Sequence, residues 1–473
     1  MNTTFPRFIL SPFASTIFAR SVIVSPDFTV NDDLSNDTLV DKKGRTQTYG
    51  TKDFPDYRYV KDGSHSRFCH ESLVKDIKDV ILDFLPDELF CVDFDSHSDH
   101  RAASLAFEAA MGEILKERIS YAPLVYKGFA YPTAFKGERD FHDRNNSTKF
   151  VKEAFSAYDM QNPYYKWEQR VRFPIVDKVR KRLLMQNVAF KALAKHKSQI
   201  IISQAESIIN DDQVFWQRRT DNLLRYADVK ASSGNGAFLN DFIMYDNTNI
   251  MGGNKEHPKF DKRIWIPEED DGEKSVRITF KGKVNVKKMV FYMGCNTVER
   301  VQKARMQFDN GYEHTIVFDK ENVQEIEIPL QQDVQWLNIR ILATGKGAGF
   351  TEIEVFSEER EEVRFLKLTE KDAFCYETNS LENKSIYIYD GYIGKSIPIS
   401  DGVTIKEEKL KGQKWYRMEW KNNPEIYDIV RCVKRERKKG SIGIRVVNRL
   451  TYVLTYCWYR ILRKLRNSLK KPE

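Results

Sequence analysis

Between residues 276 and 356 apolar and polar residues alternate in short runs that return at regular intervals, and this pattern restricts the fold more than any other. The runs are Val276 to Phe280, Met289 to Tyr292, Ala304 to Phe308, Thr315 to Phe318, Gln324 to Ile328 and Leu337 to Ile341, closed by Gly349 to Phe356. A period of two turns one face of each run to a core and the other to water. Asp309-Asn310-Gly311 supplies the residue types that tolerate the left-handed backbone of a tight turn between two strands. Short strands separated by turns predict an antiparallel β-sandwich over residues 231–360. Its start is marked by Ser232-Ser233-Gly234-Asn235-Gly236, where small turn-forming residues cluster.

Upstream the pattern changes to α/β. Leu89-Phe90-Cys91-Val92-Asp93 predicts a short buried strand, and the Ala-rich run Arg101 to Leu115, with apolar residues at helical spacing, predicts a helix. The loop between them, Asp93-Phe94-Asp95-Ser96-His97-Ser98-Asp99-His100, gathers three carboxylates and two imidazoles. It stands at the carboxyl end of a strand, where open α/β sheets place their ligands. A hydrolytic metal site needs about three His, Asp or Glu ligands, an open position for water and a carboxylate base. If one imidazole binds the ion, the other is free to stabilise an oxyanion or protonate a leaving group. The same carboxylates can equally cap the first turn of the following helix, and spacing alone leaves both roles open.

The stretch Gly44 to Arg101 resembles the PIG-L/LmbE-like family of zinc-dependent N-acetylglucosaminyl deacetylases. Its H-x-D-H motif is present as His97-Ser98-Asp99-His100, after GRTQTYG at 44–50, Ser72 to Ile77 opening a helix, and Leu85-Pro86-Asp87 before the strand. His196-Lys197-Ser198-Gln199 followed by Val214-Phe215-Trp216 is similar to the end of such a domain. The resemblance implies a Rossmann-like three-layer α/β domain over residues 41–230, incomplete at its amino terminus. It also implies zinc bound by His100, an oxyanion stabilised or a leaving group protonated by His97, and neighbours oriented by Asp99. Asp95 and His196 are weaker candidates for the substrate pocket. The reaction implied is zinc-dependent hydrolysis of an N-acetyl group on an amino sugar of a glycan or glycolipid.

The family's other motif, H-P-D-D-E, which brings two more ligands and the aspartate base, is missing. None of the eight histidines precedes two aspartates in that pattern. Residues 1–40 are atypical: Val22-Ile23-Val24 leads into Ser25-Pro26-Asp27-Phe28, with serine and phenylalanine where a ligand and an aspartate would stand. Three explanations stay open: a coding sequence truncated upstream, a non-catalytic relative, or a site completed by other carboxylates. A rival reading is a non-catalytic, membrane-peripheral glycan-binding protein. The run Gly349 to Phe356 resembles the last strand of discoidin-like, galactose-binding sandwiches, whose end loops often hold sugars. Trp216, Trp265 and Trp336 are candidate sugar platforms and candidate core residues alike.

Charge is distributed unevenly. The net charge of +8 over 473 residues conceals a segment, 431–473, with fourteen Lys/Arg and two Glu, which leaves the first 430 residues at −4. Within it Val447, Leu450, Leu454, Cys457, Trp458, Ile461 and Leu465 recur every three or four residues, so residues 441–473 predict a basic amphipathic helix. Such a helix suits an anionic membrane surface, or docks its stripe on the protein body. Nucleic acid would be drawn by the same charge, but no recognised module accompanies it, so none is expected. Residues 361–440 read as a small β-rich segment, with Ser385 to Tyr389 and Trp415 to Trp420 strand-like. Six scattered cysteines without a CxxC pair argue for a reducing, cytoplasmic setting, peripheral to a membrane if the tail docks there.

Overall fold

The computed structural model describes residues 8–10, 38–40, 44–50, 55–92, 98–128, 164, 170–173, 183–195, 213–244, 263–294, 300–357, 375–376, 387–389, 396–398, 403–410, 413–420, 423–432 and 442–468. These fall into two compact units. The first begins with a small mixed α/β sheet. Strands β1 (Phe8–Leu10), β2 (Glu88–Val92) and β3 (Leu124–Gly128) run parallel in that order. Strand β5 (Gln213–Arg218) joins β3 antiparallel, with Val125 opposite Arg218. Parallel neighbours need a long crossover, and helix α3 (Ser98–Glu117) provides it between β2 and β3.

Helix α2 (His70–Phe84) packs beside α3, and Val74, Ile77 and Ile81 meet Ala106, Phe107, Ala110 and Ile114 over Leu89, Cys91 and Val125. Full burial of each large side chain here contributes about 1.5–3 kcal/mol. The short helix α1 (Tyr57–Asp62) is clamped to α2 by the buried Arg58, whose Nε donates to Asp76 at 2.8 Å and whose Nη2 lies 2.6 Å from Asp79. Across the sheet, the fully buried Lys127 donates to Glu108 at 2.6 Å and to Ser104 at 2.7 Å, tying β3 to α3.

The sandwich is built from β6 (Asp228–Ala231), β7 (Ser275–Met293), β8 (Val301–Phe308), β9 (Glu313–Val317), β10 (Val323–Thr344) and β11 (Phe350–Phe356). All pairings are antiparallel, in the order β11-β7-β10-β8-β9 with β6 on β7. Two runs that the sequence separates, 276–280 and 289–292, are a single strand β7, and 324–328 and 337–341 are likewise a single β10. Each long strand passes from one layer to the other. The first half of β7 pairs with β6 and the second half of β10, while its second half pairs with β11 and the first half of β10. The crossing is made at register shifts between Glu327 and Trp336, where Pro329 removes a ladder donor and Asp333 adopts a φ of 56°. Inward residues of both layers form one core, including Ile278, Phe291, Met306, Phe308, Ile339, Ile353 and Trp265.

Strand β11 does not alternate in burial, because every residue from Phe350 to Phe356 is buried. Its outward residues, Glu352 and Glu354, face Arg218 of β5 instead of water: Arg218 Nε donates to Glu354 at 3.1 Å, and its Nη2 lies 3.7 Å from Glu352. Arg218 Nη1 donates to the Phe242 carbonyl at 2.6 Å, and the guanidinium lies 3.7 Å from the centre of the Phe242 ring. Tyr292 donates to the other oxygen of Glu354 at 3.0 Å. The free edge of β11 is capped by the amide of Asn222, which accepts from Val355 N at 2.8 Å and donates to Ile353 O at 3.3 Å. Leu105 of α3 joins Ile243, Met244, Val290, Tyr292 and Phe356 in an apolar cluster over the same face. Gly112 lets α3 approach this closely, since a Cβ there would stand 2.2 Å from Asp241 O.

In the second unit, a 3₁₀ turn (Leu184–Gln186) and helix α4 (Val188–Leu193) are the described part of residues 178–210, a run whose sequence reads as a helix or helix pair; residues 178–182 and 196–212 lie outside the described set. Strand β4 (Arg170–Phe173) and the short strands β12 (Cys375–Tyr376), β13 (Tyr387–Tyr389) and β14 (Ser396–Pro398) belong here too. Strands β15 (Val403–Leu410), β16 (Gln413–Trp420) and β17 (Asn423–Cys432) form an antiparallel meander, with β12 parallel to β17. The basic segment is helix α5 (Ile442–Ser468). Its docking on the Leu184–Leu193 piece uses the face opposite the apolar stripe. Asn448 accepts from Leu184 N at 3.1 Å, Tyr459 donates to Ala194 O, and Tyr452, Tyr456 and Leu462 pack around them.

Candidate functional site

The strand register gathers the sandwich loops at one end. Ala231 opposite Val276, Arg340 opposite Ser275, Thr344 opposite Val301, Lys303 opposite Val317, Val323 opposite Tyr292 and Phe350 opposite Met293 all mark the same rim. The described residues leaving it are 232–244, 263–274, 294, 300, 318–322 and 345–349. The opposite end is where the long strands bend between layers, and the outer face of β11 lies against the α/β sheet. This rim is therefore the part of the sandwich that combines several loops with exposed polar groups.

One half of the rim is built around Asp271. Its carboxylate accepts from the hydroxyls of Ser232 and Ser233 and from Glu273 N at 2.8 Å. The two hydroxyls, helped by the backbone N–H groups of Lys274 and Glu273, hold it well below the usual carboxylate range. Ser233 in turn accepts Glu268 N at 3.0 Å through its hydroxyl and the Trp265 indole at 2.9 Å through its carbonyl. Gly234, at φ +71°, and Gly349 let the loops close over Trp265 and Ile266. A Cβ at 349 would stand 1.8 Å from Trp265 O.

The other half is built around Asn322. Arg300 donates from Nη1 to Glu321 O at 3.1 Å and from Nη2 to Asn322 Oδ1. A guanidinium has no acceptor, so this contact fixes the Asn322 amide with its oxygen towards Arg300 and its nitrogen turned away. Asn322 is 3% exposed, and its Nδ2 has no acceptor among the described residues. A buried amide donor left unmatched costs about 1–3 kcal/mol. The backbone around it is fixed: Met293 N donates to Asn322 O at 2.8 Å, and Gln324 Nε2 donates to Glu321 O at 2.8 Å and to Asp319. Loop 345–349 joins the two halves, through Gly345 N on Arg300 O at 2.9 Å and Lys346 on Glu269 at 3.1 Å.

Asp95, His97 and His196 lie outside the described residues; Asp99 and His100 fall in the first turn of α3, where the backbone is helical. The strand-loop-helix order expected around them is present. Among the described residues there is no group of three or more His, Cys, Asp or Glu able to hold a metal ion. Trp216 and Trp265 are 2% and 0% exposed and serve as core. Trp336 is half-buried, with Arg277 stacked 3.4 Å over its ring. Sequence reading missed Arg300, Asn322 and Asp271; the cluster of Gly, Ser and Asn at 232–236 was the local signal for the rim.

Residues 222–356 match a family described as a domain of unknown function, DUF7402, a span that coincides with the sandwich and the turn leading into it. No curated protein matches the chain. Among solved structures the chain is similar to a fucose-binding module of Streptococcus pneumoniae, at 13% identity over 29% of this chain and 98% of that one, with a TM-score of 0.23. It is also similar to a family 32 carbohydrate-binding module of Clostridium perfringens in complex with galactose, at 13% identity over 27% of this chain and 92% of that one, TM-score 0.19. A family 32 module from Streptococcus pneumoniae EndoD matches at 12% identity over 29% of this chain and 99% of that one, TM-score 0.22.

Proposed function

We propose that this chain is a glycan-binding protein whose β-sandwich takes a sugar at the loop end bounded by Arg300, Asn322 and Asp271. The observation that supports the reading is the half-buried Arg300, whose guanidinium is fixed at the rim by Glu321 O and Asn322 Oδ1. Sugar hydroxyls both accept and donate. One can accept from the Arg300 guanidinium, and a neighbouring hydroxyl can donate to carbonyl or carboxylate oxygens of the rim. The rim is pre-organised by its own hydrogen bonds, which lowers the ordering cost of binding.

The test is a calorimetric titration of the full chain with galactose, fucose and N-acetylglucosamine, the first two being the sugars named for the modules above. Saturable binding to at least one sugar is expected, weakened about tenfold or more in Arg300→Ala. Absence of binding to all three, or binding untouched by Arg300→Ala, refutes this site.

A second reading, zinc-dependent deacetylation, draws on the backbone placement of Asp99 and His100 where β2 leads into α3. By the family resemblance His100 would hold zinc, with His97 and Asp99 beside it. Stoichiometric zinc in the purified chain and acetate release from N-acetylglucosaminyl substrates would favour this reading over the first.

A further inference from the structure

We propose that helix α5 lies flat on an anionic membrane surface, with its unpartnered apolar face in the headgroup layer. The inference is independent of the glycan reading and stands on a separate part of the chain. A helix of 27 residues carries two faces here. One, through Asn448, Tyr459, Tyr452 and Leu462, is spent on the Leu184–Leu193 piece. The other, set more than a third of a turn away by 3.6-residue periodicity, presents Val447, Leu450, Leu454, Trp458 and Ile461 at 50%, 56%, 68%, 57% and 50% exposure. A continuous stripe of large apolar residues on the solvent side of a docked helix marks a surface for a partner.

Charge decides what kind of partner. From Ile442 to Ser468 the helix contains Arg445, Arg449, Arg460, Arg463, Lys464 and Arg466 and not one Asp or Glu. On the helical wheel Lys464 borders the apolar stripe, and Arg460 and Arg449 stand further round on the polar face, the arrangement of an interfacial amphipathic helix. A second copy of the same helix would set six cations against six, which opposes self-association. An anionic lipid surface satisfies the cations and the apolar stripe together, and Trp458 is the aromatic type that prefers the headgroup level. No helix among the described residues is long and apolar enough to cross a membrane, so the seat is in the plane of the interface.

The experiment is co-sedimentation of the full chain with vesicles of phosphatidylcholine alone and with about one-third phosphatidylserine. Binding is expected on the anionic vesicles, weak on the neutral ones and reduced by salt. Each Lys or Arg near such a surface contributes about fivefold in affinity, so Arg460→Gln/Lys464→Gln is expected to weaken binding on the order of twentyfold. Leu454→Asp/Trp458→Ser, on the exposed side and away from the docked face, is expected to abolish binding while the circular dichroism spectrum stays that of the parent. Equal partitioning on the two vesicle types, or retained binding in both variants, overturns the proposal. A dimer in sedimentation velocity that Leu454→Asp/Trp458→Ser dissociates would assign the stripe to a second copy and overturn it as well.

Discussion

Replacing Arg218 by methionine tests the joint between the α/β sheet and the sandwich. The side chain is 4% exposed, lies between two carboxyl groups and donates to a backbone carbonyl at 2.6 Å. One guanidinium faces two carboxyls, so one carboxyl must keep its proton. Burial pushes Glu352 well above the usual carboxylate range, with Arg218 opposing and the charges of Asp241 and Glu354 adding to the shift. Glu354, held directly by Arg218, is also raised by burial. Glu352, the farther of the two at 3.7 Å, is therefore the protonated one. Removing one partner of a buried pair costs about 3–5 kcal/mol, so Arg218→Met is expected to lower the ratio of folded to unfolded chain by about a thousandfold. In the variant both carboxyls can stay buried only by remaining protonated. An acid whose folded pKa is raised contributes stability that is present below its unfolded pKa and lost as pH rises through the folded value. The loss is accordingly expected to be larger at pH 8 than at pH 5, and to be mostly recovered in Arg218→Met/Glu354→Gln. Urea unfolding followed by tryptophan fluorescence reads this directly, because Trp216 and Trp265 are buried on the two sides of the joint. A cost for Arg218→Met below about 1 kcal/mol, or the same cost at both pH values, would refute the buried-pair account.

Three further outcomes follow from the same geometry. Gly349→Ala is expected to destabilise by 1–3 kcal/mol or more, by overpacking against Trp265 O at 1.8 Å, whereas Gly272→Ala, with nothing within 4 Å, is expected to be near neutral; equal urea midpoints would count against the close approach. Burial pushes Asp241 up to about 6 against the pull of Arg263, so native stability should decline as pH rises from the ordinary aspartate range through about 6. Asp241→Asn should flatten that decline, and an unchanged pH profile would sink the assignment. A sandwich cut out as residues 222–356 would expose Glu352, Glu354, Tyr292 and Phe356, and is expected to aggregate or unfold where the chain retaining the α/β sheet does not; a stable, monomeric excised sandwich would show that the joint is dispensable.

How much of this was legible in the sequence depended on how far apart the cooperating residues stand. The sandwich strands could be read because Val276, Ile278 and Phe280 alternate with Arg277 and Thr279 along a single segment. That β7 and β10 each run through both layers could not. Lys281-Gly282-Lys283 and Pro329 look like ends of strands, and only pairing across the sheet keeps the backbone extended past them. On β11 the pattern of Glu352 and Glu354 spells a solvent face, and the sequence spacing of 136 between Arg218 and Glu354 hides the reason it is buried. Asn322 was invisible for a related reason: nothing near it in sequence shows that Arg300 orients its amide, 22 residues upstream.

The tail helix shows where local pattern does suffice and where it stops. Its apolar stripe was plain from three- and four-residue spacing, and the open question was whether that stripe docks on the protein body. The structure separates the two roles. Tyr452, Tyr456 and Tyr459, which read as aromatics interleaved among cations, carry the docking with Asn448, and the stripe itself is left exposed. An amphipathic pattern fixes which residues share a face, but the choice of which face is buried also depends on specific hydrogen-bonding groups. Here a carboxamide and a phenol, meeting Leu184 N and Ala194 O, select the polar-aromatic face and leave the apolar one exposed.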